Sequence, residues 1–219
     1  RLANVIVRKL PGGLAMTSVV TCALFGTVSG STVATTFAVG SVLVPKMKEQ
    51  KYSNAFIASV IGPSGVLGLI IPPSITMVIL GITTNISIGK LFIAGFLPGI
   101  LLVVLLSIYA GFISKRKGYG VIDQDKISGK EFFNVCKEAF FPLLTPIIIL
   151  GGIFSGLVTS TEAAVIAVLY GLILTLFYGE MTFSKFKEIM VSSSITSATI
   201  LIIISICSAF AWLLTIVKI

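Results

Sequence analysis

The sequence predicts an all-α, polytopic membrane protein. Of its 219 residues, 56% are hydrophobic and only 11% are charged, and the mean hydropathy is +1.10. A soluble domain carries about a quarter of its residues as charged side chains, which it needs to cover its surface. The 16 basic and 8 acidic residues of this chain are clustered between long apolar stretches. Both observations exclude a soluble globular protein.

The apolar stretches give the order of the predicted elements. They cover residues 14–44, 55–80, 91–113, 140–158, 161–178 and 189–217, and a helix of about 20 residues crosses a bilayer. If the basic connections lie in the cytoplasm, every basic residue except Lys90 and Lys218 lies on that side. The net charge of +8 thus indicates how the predicted helices are oriented in the membrane. Nucleic acid binding is not indicated, since no basic patch alternates with stacking aromatics.

The first stretch, residues 14–44, is predicted to be a re-entrant helical hairpin. Basic residues flank this stretch on both sides and are expected on the same face of the membrane. The chain between them must therefore make an even number of passages through the membrane. As one helix its 31 residues would span about 46 Å, too long for one crossing. Residues 25–32, FGTVSGST, are rich in Gly, Ser and Thr, as a chain reversal requires. We expect the hairpin to enter from the cytoplasm and turn within the membrane.

The second stretch, residues 55–80, is predicted to be a broken helix. It contains GPSG at 62–65 and GLIIPPS at 68–74, and the two prolines remove helical donors and free carbonyls near Gly68 and Ile71. Non-helical backbone at membrane depth is tolerated where protein or a water-filled cavity surrounds it. Two interrupted segments in succession therefore predict a shared polar site near the midplane. Packing glycines alone remain the simpler reading of Gly152 and Gly156.

The predicted site is formally neutral and rich in oxygen. Hydroxyl and carbonyl oxygens are hard ligands suited to Na⁺, and a half-helix N-terminus suits a carboxylate. Catalysis is not indicated, because the chain has no His and its apolar stretches carry one acid, so neither an acid–base pair nor a zinc site can be assembled. The oxygen ligands expected for Na⁺ come from Ser29, Ser31, Gly68, Ile71 and Pro73. The candidates for contact with a substrate are Gly30, Thr32, Pro72 and Ser74.

Glu162 is the one acid within a predicted span. The sequence Thr159-Ser160-Thr161-Glu162 fits a capping box with Thr159 as N-cap, which we favour over a role in ion coupling. Ser128 with Glu131 predicts a second capping box and an amphipathic helix that lies along the cytoplasmic membrane surface or on a neighbouring helix, and Thr182 predicts a third surface helix. The three cysteines form no CxxC motif and are expected to be free thiols.

Five sequence motifs resemble the large membrane subunit of the tripartite ATP-independent periplasmic (TRAP) transporters, and the resemblance covers essentially all 219 residues. The motifs are LPGGLA at 10–15, FGTVSGSTVAT from Phe25, GPSGVLGLIIPPSITMVILG from Gly62, SIGKLFIAGFLPG from Ser87 and GGIFSGLVTSTEAA from Gly151. In the last motif Ser160 stands where the family usually has Pro.

The resemblance implies a secondary transporter of the ion-transporter superfamily, with inverted repeats, an elevator-type motion and no cofactor other than Na⁺ as coupling ion. The family's first sodium site maps onto Ser31, Gly68, Ile71 and Pro73. The implied partners are a small membrane subunit, a periplasmic solute-binding protein and an organic acid anion such as a C4-dicarboxylate or a sialic acid. The implied location is the inner membrane of a bacterium or archaeon.

The expected organisation has three parts. Residues 1–113 hold the first-half transport elements (hairpin 14–44, broken helix 55–80, helix 91–113), residues 114–139 form a cytoplasmic connection with an amphipathic helix, and residues 140–219 hold helices 140–158, 161–178 and 189–217. We expect the chain to be a fragment that leads into a second hairpin. A permease that works without a binding protein and a non-transporting membrane scaffold remain the alternatives.

Overall fold

A computed structural model describes residues 12–119, 129–179 and 181–217, and for residues 129–139 only the backbone. These residues form helices without strands, in two compact units that divide after Tyr170. In chain order the helices are α1 (Gly13–Ser29), α2 (Thr32–Glu49), α3 (Asn54–Gly65), α4 (Leu67–Ile70), α5 (Ile75–Thr84), α6 (Ile88–Lys117), α7 (Gly129–Phe154), α8 (Ser160–Phe177) and α9 (Phe183–Val217).

Helices α1 and α2 form the predicted hairpin. Gly30 ends α1 in the left-handed conformation, with φ 61°, and its N–H donates to the carbonyl of Gly26. Ser31 follows at once as the N-cap of α2, with its side chain accepting from the Ala34 N–H. Two residues therefore reverse the chain, because the left-handed glycine closes one helix where the serine opens the next. The arms pack through the buried residues Ala15, Val19, Cys22, Val39, Leu43 and Met47.

Helices α3, α4 and α5 form the predicted broken helix. The axis from Asn54 to Ile70 is bent by 43° from that of Ile75–Thr84. The break contains Ile71 and Ser74 in extended conformation on either side of Pro72 and Pro73, which are joined by a cis peptide bond. Proline has no N–H and excludes the preceding residue from the helical region, so the helix stops where the sequence predicts.

Helix α6 runs along the hairpin and the broken helix. A Cβ built at Gly95 would lie 2.6 Å from the carbonyl oxygen of Ile70, and one at Gly99 would lie 2.7 Å from Ile71 Cγ1. Two glycines four residues apart thus let α6 approach the break closely, as small residues do in membrane helix pairs. The opposite face of α6 is exposed and aliphatic, and Leu97 is 79% exposed.

Two connections differ from the prediction. We expected an amphipathic surface helix before the span at 140–158, and a surface helix near Thr182 before the span at 189–217. The structure has one helix in each place, α7 from Gly129 and α9 from Phe183. Hydropathy locates the apolar part of a helix, whereas polar residues that form helices readily continue it beyond that part. The predicted cap Ser128–Glu131 lies outside the described side chains.

Length and composition qualify three of the described helices to cross a membrane: α6, α8 and α9. The bent pair of α3–α4 with α5 makes a fourth possible span. Helix α1 is apolar but has only 17 residues, so it is short for a crossing. The described residues therefore match a polytopic membrane protein of helices. In the second unit, α9 has no buried residue among those described.

Candidate functional site

The tip of the hairpin packs directly on the broken helix through glycine backbones. A Cβ built at Gly26 would lie 2.7 Å from the Cα of Gly68, and one at Gly68 would lie 3.0 Å from the carbonyl oxygen of Ser31. Both glycines are buried. Real Cβ atoms essentially never come within 3.0 Å of such neighbours, so the two segments can approach this closely only because both positions lack a side chain.

Gly30 joins the hairpin tip to the start of α5. Its carbonyl accepts a hydrogen bond of 3.3 Å from the N–H of Ile75. A Cβ built at Gly30 would lie 3.1 Å from the carbonyl oxygen of Pro73. Because Gly30 also has φ 61°, the turn and the contact with the broken helix depend on the same residue.

Hydroxyl groups gather behind the tip. The Oγ of Ser29 lies 2.8 Å from the Oγ1 of Thr35 and 3.4 Å from both the N–H and the carbonyl oxygen of Ser31. Thr35 is fully buried, and its Oγ1 is the atom that a Cβ at Gly68 would meet first. The predicted residues Ser29, Ser31 and Gly68 are thus brought together, with Thr35 between them.

Two carbonyls of the broken helix have lost their helical donors. The donor that an α-helix would give the Gly68 carbonyl is the N–H of residue 72, which is proline and has none. The donor for Ile71 would be the N–H of Ile75, and this group donates to Gly30 instead. Neither carbonyl therefore accepts the bond that an uninterrupted α-helix would give it.

Four helix ends meet at this point. The C-terminus of α1 and the C-terminus of α4 bring partial negative charge, whereas the N-termini of α2 and α5 bring partial positive charge. Ile75 N would lie 3.2 Å from a Cβ at Gly30, which places the start of α5 beside the turn into α2. No residue from Met16 to Pro45 or from Tyr52 to Gly89 is charged, so backbone dipoles dominate the electrostatics of the site.

The remaining predicted residues occupy different positions. Thr32 lies in the first turn of α2, where its carbonyl accepts from Thr36 Oγ1 at 2.8 Å. Pro72 is fully buried in the break, and Ser74, at the start of α5, is 1% exposed. The Ser74 Oγ has no hydrogen-bond partner among the described residues. A buried hydroxyl without a partner is unfavourable, and a ligand that bonded to Ser74 would remove this cost.

Thr159 and Glu162 bond to each other. The Oε2 of Glu162 accepts from the Thr159 N–H at 2.7 Å and from Thr159 Oγ1 at 2.9 Å. The Glu162 N–H lies 3.3 Å from Thr159 Oγ1. These are the reciprocal bonds of a capping box at the start of α8.

Among the described residues, no group of three or more His, Cys, Asp or Glu side chains could hold a metal ion.

Sequence reasoning missed Thr35, Gly26 and the glycines of α6. Thr35 lies one helical turn after Ser31, so its place beside the tip could have been inferred from helical spacing. Gly26 was assigned to the reversal, whereas the structure places it within α1 against Gly68. Contacts between segments distant in sequence leave no such signal in a single chain.

Known proteins resemble this chain over almost its whole length. Residues 1–219 match the family model described as the tripartite ATP-independent periplasmic transporter, DctM component. The isethionate TRAP transporter permease protein DctMQ of Oleidesulfovibrio alaskensis is 38% identical over 216 residues, which are 98% of this chain and 34% of the relative. The sialic acid TRAP transporter large permease protein SiaM of Vibrio cholerae is 37% identical over 96% of this chain and 49% of its own length.

The ectoine TRAP transporter large permease protein TeaC of Halomonas elongata is 38% identical over the whole of this chain and 52% of its own length. The chain thus spans from 34% to 52% of the length of these curated relatives. Their names give the same role with different solutes. The match of the family model to every residue establishes that this chain belongs to the DctM component family of TRAP transporters.

Proposed function

We propose that the chain is part of the large permease subunit of a TRAP transporter, which imports a small organic anion together with Na⁺. The observation that carries the proposal is the meeting of the hairpin tip with the broken helix, where Gly26 and Gly68 are in backbone contact. Interrupted helices that meet at mid-membrane are the usual place for substrate and coupling ion in secondary transporters.

The donor set at the tip fits Na⁺. The hydroxyls of Ser29 and Thr35, 2.8 Å apart, and the carbonyls of Ser31, Gly68 and Ile71 are neutral oxygen ligands of the kind that Na⁺ binds. The C-terminal ends of α1 and α4 favour a cation in the same place. Bound Na⁺ would supply charge that draws these oxygens of the hairpin and the broken helix together. Pro73 contributes a carbonyl that lies against Gly30.

The two helix N-termini favour an anionic substrate group. Ser31 and Ser74 are the N-caps of α2 and α5, and the unpaired N–H groups there suit a carboxylate or sulfonate. Thr32 and Ser74 can donate hydroxyl hydrogens in addition. The relatives are named for isethionate, sialic acid and ectoine, each of which carries a carboxylate or sulfonate. We propose a solute of this class and assign no single compound.

The proposed setting is the inner membrane, with the hairpin re-entrant from the cytoplasm. Its arms of 17 and 18 residues would each rise about 26 Å at 1.5 Å per residue, which is shorter than the hydrocarbon core of about 30 Å. We propose an elevator motion of the hairpin and broken helix within an inverted-repeat protein. The proposed partners are a small membrane subunit and a periplasmic binding protein that delivers the solute.

Uptake into liposomes tests the ion coupling. The full-length subunit with its small subunit and binding protein should accumulate an acidic solute under an inward Na⁺ gradient. In the Ser29→Ala variant, which removes one of the two proposed hydroxyl ligands, we expect half-maximal uptake at a several-fold higher Na⁺ concentration. Ser41→Ala is the matched control, because its hydroxyl bonds to the Ala38 carbonyl of its own helix at 3.0 Å. Uptake that does not depend on Na⁺ contradicts the coupling.

The two alternatives give different outcomes in the same assay. A permease that works alone would transport the solute without the binding protein. A non-transporting scaffold would show no uptake and would keep the hairpin tip dry. A cysteine placed at position 29 should therefore react with a water-soluble thiol reagent if the site admits solute, and resistance to labelling would favour the scaffold.

A further inference from the structure

Residues 48–53, at the end of α2 and in its connection to α3, form what we call the hairpin foot. Stacked aromatic rings join it to the end of α6. The centroids of Tyr52 and Tyr119 are 4.9 Å apart with 28° between the ring planes. Phe56 lies 5.5 Å from Tyr119 and is also stacked on it. Tyr52 and Phe56 are buried. The connection between α2 and α3 is thus fixed against the residues that follow α6.

Backbone bonds hold both connecting segments in shape. The Lys51 N–H donates to Lys48 at 2.9 Å, and the Tyr52 N–H donates to Met47 at 3.0 Å. After α6, Tyr119 donates to Ser114 at 2.9 Å. A hydrogen bond with the Ser53 side chain, helped by the charge of Lys117, lowers the pKa of the Tyr119 phenol. The two segments therefore form one ordered surface.

This surface brings together five exposed cations, which we call the basic rim: Lys48, Lys51, Lys115, Arg116 and Lys117. The ammonium of Lys117 lies 5.9 Å from the centroid of the Tyr119 ring. Glu49 is the single acidic residue between Lys46 and Tyr119. No ion pair neutralises the rim within the part of the chain that the structure describes. The rim is therefore a concentration of positive charge with little acid to balance it.

An apolar stripe on α6 leads directly to the rim. Leu105, Ile108 and Phe112 are 52%, 62% and 64% exposed. They follow each other at intervals of three and four residues, so they lie on one face of the helix. Lys115 and Arg116 continue the same spacing. An exposed hydrocarbon surface that ends in cations matches the acyl chain and phosphate of an anionic phospholipid, in that order.

We propose that the basic rim binds the headgroup phosphate of an anionic phospholipid, whose acyl chain lies along the stripe of Leu105, Ile108 and Phe112. Cations from the hairpin foot and from the end of α6 contact the same headgroup. The bound lipid thereby fastens the cytoplasmic end of the hairpin to α6. The site is separate from the solute site at the hairpin tip and does not depend on the transported compound.

Native mass spectrometry of the full-length protein, equilibrated with equal amounts of phosphatidylglycerol and phosphatidylcholine of the same acyl chains, tests the proposal. The wild type should retain phosphatidylglycerol preferentially. Each cation near a membrane surface changes binding of an anionic lipid by about fivefold. In the triple variant Lys115→Gln, Arg116→Gln, Lys117→Gln, the amount of retained phosphatidylglycerol should therefore fall by a factor of about ten or more. The matched control removes three charges elsewhere, by Lys90→Gln, Lys185→Gln and Lys187→Gln, and should keep it within about twofold.

Equal losses in the two triple variants would show diffuse attraction to charge and would overturn the proposal. Displacement of the lipid by millimolar inorganic phosphate would identify a soluble anion as the ligand instead. If the rim variant does not fold, Lys51→Asn removes a single cation from the other segment. Asparagine tolerates the φ of 60° at this position. Its retention of phosphatidylglycerol should fall about fivefold, and unchanged retention would exclude a site shared by both segments.

Discussion

Gly26 of the hairpin and Gly68 of the broken helix are in backbone contact, so closely that a Cβ at Gly26 would lie 2.7 Å from the Cα of Gly68. This pair fixes the distance between the two interrupted segments. The hydroxyls of Ser29 and Thr35 and the backbone of Gly68 share one small region because the two segments approach this closely. The geometry of the candidate site thus depends on two missing side chains.

Gly26→Ala should separate the hairpin from the broken helix. A methyl group against backbone cannot be relieved by turning a side chain, and overpacking of this kind costs about 1–3 kcal/mol. We expect a lower melting temperature in detergent and a large loss of solute uptake. Gly62→Ala is the control, since a Cβ there meets nothing within 4 Å. If both variants melt and transport alike, the contact is not what holds the segments together.

Thr35→Val should weaken the dependence of uptake on Na⁺ while preserving the fold. The substitution keeps the side-chain volume but removes the hydroxyl that lies 2.8 Å from Ser29 Oγ. We expect half-maximal uptake at a several-fold higher Na⁺ concentration. Thr27→Val is the matched control, because Thr27 Oγ1 donates to the Leu24 carbonyl of its own helix at 2.8 Å. An equal shift in the two variants would remove Thr35 from the proposed ion site.

A comparison of Gly30→Ala with Gly118→Ala should distinguish the effect of backbone strain from that of the contact between Gly30 and the broken helix. Both glycines have positive φ, 61° and 64°, which a residue with a Cβ adopts at a penalty of about 1–2 kcal/mol. A Cβ at Gly118 meets nothing within 4 Å, whereas one at Gly30 would lie 3.1 Å from Pro73 O. Gly30→Ala should therefore lower the melting temperature further and should also reduce uptake. Equal effects would mean that strain alone matters at both sites.

Thr159→Ala should lower stability without changing the Na⁺ dependence of uptake. The threonine hydroxyl donates to Glu162 Oε2 at 2.9 Å, and the loss of an N-cap typically costs about 1 kcal/mol. Glu162→Gln should be tolerated, since glutamine also occupies the third position of a capping box. A changed Na⁺ dependence in Glu162→Gln would assign this carboxylate to ion coupling.

The free energy of unfolding should fall at high pH because the phenol of Tyr52 is buried. Burial raises the pKa of the Tyr52 phenol above its ordinary value of 10.0. The folded protein therefore keeps the proton after the unfolded chain has released it, so stability is constant below that value and declines as the pH rises above it. Melting temperatures measured from pH 8 to pH 11 should show a shallower decline in Tyr52→Phe. An identical decline would contradict a buried phenol.

The sequence located both interruptions correctly because their causes are local. Left-handed Gly30 followed by the cap Ser31, and prolines that lack an N–H, end helices whatever surrounds them. Thr35 escaped notice because its importance comes from Gly68, which is 33 positions away. Helices were expected to begin at Ser128 and Thr182, next to the observed starts of α7 and α9. Their continuation into the following apolar stretches was missed, since loss of hydrophobicity marks the edge of a membrane and not the end of a helix.

The hydrogen bond from Ile75 N to Gly30 O uses only atoms that every residue possesses. The joint between the hairpin and the broken helix therefore does not depend on which side chains surround it. Substitutions at Thr32 or Ser74, the proposed contacts with the solute, would leave this backbone hydrogen bond in place. On the proposed function, evolution could therefore change the solute through a few side chains while the backbone joint stays the same.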